Sequence, residues 1–442
     1  MLKESVVTFL VNIYTFGITV ITSVLVSRAL GPGGKGVYTL VVNAVSILLI
    51  ALNLGLGAAN IYYGGNRKHP HGVLFWNSAA TTLGITCAAF LIVFGIVSGF
   101  IPLGEALRSV DALALWLGLS SLPLLAMRLY LAGLLVGMQY IVTVSVLQAV
   151  ARTLAFGLLV IFLIRHPTPH IALALFAVGI GIELLANLLF YIRVTLKSKE
   201  KLSPRFSGAA FRDGLSYGIQ GHLGNFAQFL NYRLDSFLVN YFVTTSAVGV
   251  YSVAAALGET LWKVSGTLSA VLLPKVSALG DSPESARLTS KSSRMGLFLT
   301  MLMGVGIAAV APWAVRLVYG DQFAEASTAL QILLPGIVAL SVNKVLSAYV
   351  AGRGMPQYNT LVAFLSLVIT VGLDLKLIPI WGINGAALAS TMSYVCSALA
   401  TIYIYHRLSG EMLTDVLVPD HDDWKTIRWA FSRLLGLASS LH

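Results

Sequence analysis

The sequence predicts an all-α polytopic membrane protein of about twelve transmembrane helices. Of its 442 residues, 57% are hydrophobic and only 11% are charged, and the mean hydropathy is +0.83. These values lie outside the range of water-soluble domains. A spanning helix needs roughly 20 mainly apolar residues. The stretches that qualify are 6–29, 37–62, 73–101, 111–135, 140–164, 171–194, 214–242, 247–273, 293–319, 324–350, 358–380 and 383–407.

The positive charges predict the orientation of these spans. If the N-terminus is cytoplasmic, nineteen of the 29 Lys and Arg residues fall on the cytoplasmic side, six fall on the other side and four lie deep in spans. This excess predicts a multi-pass protein of the cell membrane with both termini in the cytoplasm. The net charge of +11 therefore reports topology rather than nucleic-acid binding. The first span is too long for a signal-peptide core, and we expect it to be retained.

The first two spans each carry a polar stripe at helical spacing. Such stripes either pack helices together or line a polar path. The turn between the spans, Gly31 to Gly36, lacks the spacing of a Walker phosphate loop and predicts a tight extracytoplasmic turn. The stripes consist of Thr8, Asn12, Thr15, Thr19 and Thr22 in the first span, and of Asn43, Ser46, Asn53, Gly57 and Asn60 in the second.

Spans three to six contain one informative charge, Arg152, near the middle of span five. Two interpretations stay open, a structural partner for Glu183 in span six or a ligand-binding cation. The two cysteines, Cys87 and Cys396, lie in distant spans and indicate neither a disulfide framework nor a metal site. We expect no metal and no cofactor.

A basic segment, 196–213, divides the spans six and six and predicts a cytoplasmic linker between an N-terminal lobe, 1–195, and a C-terminal lobe, 214–407. The lobes echo each other. The Gly-Val-Tyr motif at Gly36 recurs at Gly249, an offset of 213, and a Gly-Met motif near residue 137 recurs at offsets of 217 to 218. Since an even number of spans separates the copies, the repeat is parallel, with a pseudo-two-fold axis along the membrane normal.

Spans seven and eight hold charges that lipid alone would not tolerate. A charge at the bilayer centre costs roughly 2.5 to 3.5 kcal/mol, so such residues face a cavity or each other. Assembly through internal pairing is one interpretation. However, the deep cations outnumber the deep acids, which favours an anionic ligand that guanidinium fits well. The deep cations are Arg152, Arg233, Lys263 and Lys344, and the deep acids are Glu183, Asp235 and Glu259.

The segment after the last span, 408–442, predicts a cytoplasmic tail with an amphipathic helix on the membrane surface. Its apolar face would consist of Trp424, Ile427, Phe431, Leu434 and Leu435.

Five motifs are spread along the chain: Ser27 to Tyr38 (SRALGPGGKGVY), Arg233 to Asp235 (RLD), Val248 to Ser252 (VGVYS), Leu272 to Pro274 (LLP) and Ile378 to Ala387 (IPIWGINGAA). Taken in this order, they resemble those of the polysaccharide flippases in the multidrug/oligosaccharidyl-lipid/polysaccharide (MOP) exporter superfamily. The resemblance covers nearly the whole chain and rests on the order and spacing of the motifs.

The resemblance implies a MATE-like fold, in which two lobes enclose a V-shaped cleft lined by spans one, two, seven and eight. It also implies an alternating-access transporter, not an enzyme, that moves a polyprenyl-pyrophosphate-linked oligosaccharide from the cytoplasmic to the outer leaflet. Arg152, Arg233, Lys263 and Lys344 would bind the pyrophosphate. Asp235 and Glu259 are candidates for coupling to protons or sodium ions. The expected sugar contacts are Asn12, Asn43, Asn53, Asn225 and Gln228.

The expected partners are the lipid-linked glycan, membrane lipids and the polymerase and glycosyltransferase machinery of polysaccharide synthesis. The closest alternative is a proton- or sodium-coupled multidrug exporter of the same superfamily. These antiporters commonly use an acid in the first span, where this sequence has only Thr and Asn. A membrane glycosyltransferase would need catalytic acids near an interface, and a scaffold protein would leave the deep charges unexplained.

Overall fold

The computed structural model describes residues 2–100, 110–198, 205–425 and 428. Within these residues the chain is helical and contains no strand, as the composition predicts. A 3₁₀ turn, Asp321–Phe323, lies between α10 and α11. The helices are α1 (Leu2–Leu52), α2 (Leu56–Asn66), α3 (His71–Val97), α4 (Ala112–Gly137), α5 (Ile141–Arg165), α6 (Pro169–Ser198), α7 (Gly208–Phe242), α8 (Thr245–Glu259), α9 (Trp262–Leu279), α10 (Pro283–Tyr319), α11 (Ala326–Gly352), α12 (Pro356–Ser409) and α13 (Leu413–Leu417).

Eight helical segments among the described residues are long and apolar enough to cross a membrane. Two of them, within α1 and α12, each contain two predicted spans, so the eight account for ten of the predicted spans. The other two are span seven, which forms α7, and span eight, which forms α8 and α9. These are the spans in which the sequence places clustered charges, and the break in span eight leaves α8 with only 15 residues.

Glycines with positive φ separate the paired spans inside the two long helices. Gly31 has φ 65° in α1 and Gly382 has φ 55° in α12, a conformation that only glycine adopts without strain. Each glycine has a proline close by, Pro32 and Pro379 respectively. The predicted turns at these positions are confirmed, although each turn consists of a sharp kink rather than a loop.

Two spans that the sequence predicts as continuous are broken in the structure. Span two stops at Leu52 and resumes as α2, and the backbone between them turns through Gly55, which has φ 74°. Span eight stops at Glu259 and resumes at Trp262. Interrupted helices in corresponding positions of two repeats mark the binding region in many transporters.

The chain divides into two compact units. Unit 1 comprises residues 1–252 and 316–323, and unit 2 comprises residues 253–315 and 324–442. In unit 1, α4 packs against α2, α3 and α6; in unit 2, α11 packs against α9 and α12. Both central helices are well buried. The predicted lobes 1–195 and 214–407 and the linker 196–213 stay predictions, and residues 199–204 of the linker lie outside the described residues.

The predicted amphipathic tail helix lies mostly outside the described residues, which hold only Trp424 of its apolar face. Ile427, Phe431, Leu434 and Leu435 are not among them. Trp424 is 46% exposed and packs edge-on against Phe298 of α10, with 5.4 Å between ring centroids. The surface helix therefore stays a prediction.

The two copies of the Gly-Val-Tyr motif contact each other within unit 1. A Cβ on Gly36 would overlap the carbonyl group of Thr245, and a Cβ on Gly249 would overlap that of Pro32. Thr245 precedes Gly249 by four residues, as Pro32 precedes Gly36. Such a reciprocal contact is the arrangement that a two-fold axis produces. It agrees with the predicted parallel repeat.

Candidate functional site

Unit 1 brings together three charged side chains from three helices. Arg128 of α4 donates to the carboxylate of Glu183 of α6 at 2.9 Å, and the Glu183 side chain is only 8% exposed. Arg152 of α5 donates to the Thr19 hydroxyl of α1 at 2.9 Å and interacts electrostatically with both Arg128 and Glu183. The cluster holds two cations and one carboxylate, and it carries a net positive charge.

The partner of Glu183 differs from the one that the sequence suggests. The sequence is compatible with Arg152 as a structural partner for Glu183, but Arg128 makes the direct ion pair. Arg152 instead donates to a neutral hydroxyl group and interacts with Glu183 through electrostatics alone. The repeat does point to Arg128 as a site residue. Lys344 lies 216 residues after it, which is within the range of offsets between the repeated motifs.

Unit 2 contains a second cluster of the same composition. Glu259 ends α8 and Lys263 lies in the first turn of α9, on opposite sides of the break in span eight. Lys344 of α11 interacts electrostatically with both of them. Its ammonium group lies 4.4 Å from the ring centroid of Trp262, a distance suited to a cation–π contact. Two cations again accompany one acid.

A hydrogen bond fixes the position of Lys344 relative to the broken span. The Ser269 hydroxyl of α9 donates to the carbonyl oxygen of Lys344 at 2.9 Å. The nearby Glu259 carboxylate favours the charge of Lys344 and so provides a local reason for a lysine at this depth.

Asp235 of α7 lies in a separate polar group in unit 1. Its side chain is buried, 4% exposed, and accepts hydrogen bonds from the Tyr251 hydroxyl at 2.6 Å and from the Ser236 backbone N–H at 2.7 Å. Asn43 donates to the Ser236 hydroxyl at 3.3 Å. The structure thus brings Asp235 and Asn43 together. Tyr251 and Ser236 were not among the predicted site residues, although Tyr251 belongs to the repeated Gly-Val-Tyr motif.

The helix break in span two is held by polar groups from two neighbouring helices. Asn53 accepts from the Gly55 backbone N–H at 2.8 Å, and the Tyr130 hydroxyl donates to the carbonyl oxygen of Asn53 at 3.2 Å. His222 of α7 bonds to the carbonyl groups of Ile50 and Ala51 at the end of α1. Asn53 thus shapes the break.

The other predicted site residues differ in exposure. Asn12 on α1 and Asn225 on α7 are exposed, and Gln228 is partly buried. Arg233 is partly buried and its guanidinium carbon lies 6.0 Å from the ring centroid of Phe229. The two asparagines are therefore exposed, in contrast to Asn43 and Asn53, which are buried.

An ionic group ties the loop after α2 to the start of α7, at the predicted cytoplasmic edge of unit 1. Asp213 accepts from Lys68 at 2.7 Å and from His69 at 3.0 Å. These hydrogen bonds lower the pKa of Asp213, which stays ionised at neutral pH. Elsewhere among the described residues, no group of three or more His, Cys, Asp or Glu residues is arranged to hold a metal ion.

The sequence was compared with known families. Residues 25–328, from the end of the first predicted span to the start of α11, match the family described as "Polysaccharide biosynthesis protein". The chain belongs to this family. The matched range contains the whole of the unit 1 cluster together with Glu259 and Lys263 of unit 2.

Two curated relatives come from the archaeon Haloferax volcanii. The "Probable flippase AglR" is 25% identical over 205 residues, which are 42% of this chain and 40% of that protein. The "Probable low-salt glycan biosynthesis flippase Agl15" is 26% identical over 180 residues, which are 40% of this chain and 38% of that protein. The chain therefore spans about two fifths of the length of these family relatives.

Comparison with solved structures shows that this chain has the MOP fold. The lipid II flippase MurJ in an inward closed conformation superimposes with a TM-score of 0.69 at 12% identity, over 99% of this chain and 97% of that one. An inward-facing MATE transporter of the MOP superfamily gives a TM-score of 0.62 at 15% identity, over 90% and 94% of the two chains. At these identities the likeness concerns the fold alone.

Proposed function

We propose that this chain is an alternating-access flippase that moves a polyprenyl-pyrophosphate-linked oligosaccharide from the cytoplasmic to the outer leaflet. The observation that carries the proposal is the pair of cationic clusters, one in each unit, set among apolar helices. Arg128 and Arg152 accompany Glu183, and Lys263 and Lys344 accompany Glu259. Family membership and the flippase names of the archaeal relatives support the same assignment.

The charge of the clusters favours a phosphorylated ligand. Cations that exceed their acids inside a bilayer need an anion to offset the cost of their burial. Guanidinium groups bind phosphate oxygens through paired hydrogen bonds, and ammonium groups bind them as point charges. Each cluster thus supplies the kind of charge that a pyrophosphate needs. Arg233, partly buried on α7, would add a further contact.

The glycan would be bound by the accessible amides of the polar stripes. Asn12 and Asn225 are exposed and Gln228 is partly buried, whereas Asn43 and Asn53 are buried and hydrogen-bonded within unit 1. Sugars offer hydroxyl groups that such amides recognise in either direction. Asn43 and Asn53 would then act by shaping the polar path.

Asp235 and Glu259 are the proposed coupling residues. Asp235 combines burial with a short hydrogen bond from Tyr251, an arrangement in which uptake of a proton or sodium ion would change the local bonding. Glu259 lies at the break in span eight and is accompanied by Lys263 and Lys344. A change in its charge would alter how strongly these two lysines bind an anion. No cofactor enters this mechanism.

Flipping of a fluorescent polyprenyl-pyrophosphate oligosaccharide in proteoliposomes tests the proposal. We expect Arg152→Gln and Lys344→Gln each to lower the rate by roughly tenfold or more, because a charged hydrogen bond contributes about 1.5–3 kcal/mol. Arg287→Gln, an exposed position on α10, is the matched control and should keep the wild-type rate. Drug or ion exchange without lipid flipping by the wild type would overturn the proposal in favour of the multidrug exporter.

A further inference from the structure

A groove between α1 and α5 in unit 1 has no role in the mechanism above. Its volume is about 300 Å³, and its lining is mostly apolar. Val11 and Tyr14 contribute from α1, and Val146, Val150, Thr153 and Leu154 contribute from α5. Tyr14, Val150 and Leu154 are each more than half exposed. The groove is therefore open at the surface of unit 1.

One part of this groove is polar. The Tyr14 hydroxyl and the Thr153 hydroxyl form a hydrogen bond of 2.9 Å between α1 and α5. Arg152 precedes Thr153, and its guanidinium group reaches the Thr19 hydroxyl on α1. The apolar groove thus adjoins a cationic group, and the same two helices form both. This pairing matches an amphiphile that has an anionic head and a hydrocarbon chain.

We propose that the groove binds the isoprene units nearest the pyrophosphate of the lipid-linked substrate, while Arg152 binds the pyrophosphate itself. The inference rests on the proposed function and deepens it. It assigns the groove between α1 and α5 to the lipid part of the substrate, whereas the clusters would hold the phosphates. The Val and Leu side chains of the groove suit branched prenyl units, because these two side chains fill space without polar atoms.

The depth of Arg152 distinguishes a transported lipid from a resident one. Arg152 lies near the middle of α5, whose 25 residues at about 1.5 Å per residue exceed a hydrocarbon layer of about 30 Å. A resident phospholipid keeps its phosphate at the interface, far from this position. A lipid in transit must bring its phosphate to mid-depth. The groove begins where the phosphate of such a lipid would be.

Photo-crosslinking to the full chain tests this assignment without depending on transport. The probe is a polyprenyl pyrophosphate with a diazirine in its second isoprene unit, and the comparison probe is phosphatidic acid with a diazirine in its acyl chain. We expect the prenyl probe to label peptides containing residues 11–14 and 146–154, with at least about fivefold preference over phosphatidic acid. Equal labelling by both probes would show an ordinary lipid-facing surface and overturn the inference.

Filling the groove gives the second test. Val150→Trp places a large ring in the groove, and Ile161→Trp adds the same ring to α5 outside it; the two positions are 52% and 51% exposed. We expect Val150→Trp to reduce both prenyl labelling and lipid flipping by roughly fivefold or more, and Ile161→Trp to change neither. Unchanged labelling and flipping in Val150→Trp would overturn the inference.

The two readouts separate failure of the inference from failure of the proposed function. Flipping by the wild type with no prenyl label in the groove overturns the groove assignment and leaves the flippase intact. Selective prenyl labelling without flipping by the wild type supports the groove and overturns the flippase. If neither occurs, both are overturned.

Discussion

Among single residues, Arg294 on α10 makes the densest ionic contacts in unit 2. Its guanidinium group donates to Asp423 at 2.5 Å and to Asp420 at 2.8 Å, and Asp423 is fully buried. We predict that Arg294→Met lowers the free energy of unfolding by about 3–5 kcal/mol, because it leaves a buried carboxylate without its cation. A thermal melt of the purified protein in detergent measures the loss.

Two further variants separate the ion pair from other effects of the Arg294 substitution. Arg287→Met on the same helix is exposed and should change the stability by less than about 0.5 kcal/mol. Adding Asp423→Leu to Arg294→Met should recover part of the loss, since the buried charge is then gone. A double variant no more stable than Arg294→Met would contradict the prediction.

Residue partners are what the sequence predicts least well. The sequence predicts Arg152 and Glu183 deep in neighbouring spans, and both lie in one cluster. The sequence does not show that Arg128 pairs with Glu183, because the pairing depends on how α4 and α6 are rotated about their axes. The same applies to Asp235, whose partner Tyr251 lies on another helix, in the repeated Gly-Val-Tyr motif that opens span eight.

At the scale of helices, the reciprocal contact between the two Gly-Val-Tyr motifs requires close backbone approach. We predict that Gly249→Ala lowers the melting temperature by several degrees or prevents accumulation of folded protein, because its Cβ would overlap the backbone of Pro32. Overpacking of this kind costs about 1–3 kcal/mol or more. Fluorescence-detected size-exclusion chromatography after heating measures the effect.

Gly157 in α5 provides the matched control for that helix contact. Nothing lies within 4 Å of a Cβ placed there, so Gly157→Ala should be neutral or should stabilise the protein by about 0.4–1 kcal/mol. Equal melting temperatures for Gly249→Ala and Gly157→Ala would show that α1 and α8 do not need the close approach.

Helix positions were predictable from hydropathy, whereas the helix breaks were not. The long apolar runs correspond to helices throughout the described residues, and positive φ at Gly31 and Gly382 matches the predicted turns. The breaks at Gly55 and after Glu259 lie inside stretches that are each long and apolar enough to be predicted as one span. In span two, neighbouring helices supply partners for the interrupted backbone, such as His222 of α7 at the end of α1. Hydropathy does not report such contacts between helices.

At the scale of the whole molecule, the repeat and the charge asymmetry constrain how the chain crosses the membrane. The repeat was predictable because its motifs recur at nearly constant offsets, and the reciprocal glycine contact agrees with it. The positions of Lys and Arg predict a cytoplasmic location for both termini. Under that topology the loop after α5 is extracytoplasmic and the start of α12 is cytoplasmic, so the two lie on opposite sides.

Cysteine labelling in intact cells tests this topology in a chain whose native Cys87 and Cys396 are replaced by serine. We predict that a membrane-impermeant maleimide labels His166→Cys in the loop after α5 and leaves Gln357→Cys at the start of α12 unlabelled until the cells are opened; both positions are exposed. The reason is the excess of nineteen basic residues over six, which insertion retains on the cytoplasmic side. The opposite labelling pattern would mean that the chain is inverted in the membrane. Both clusters would then first meet a substrate that comes from the outer leaflet. The proposed outward direction of transport would then be wrong, even though the fold and the clusters would be unchanged.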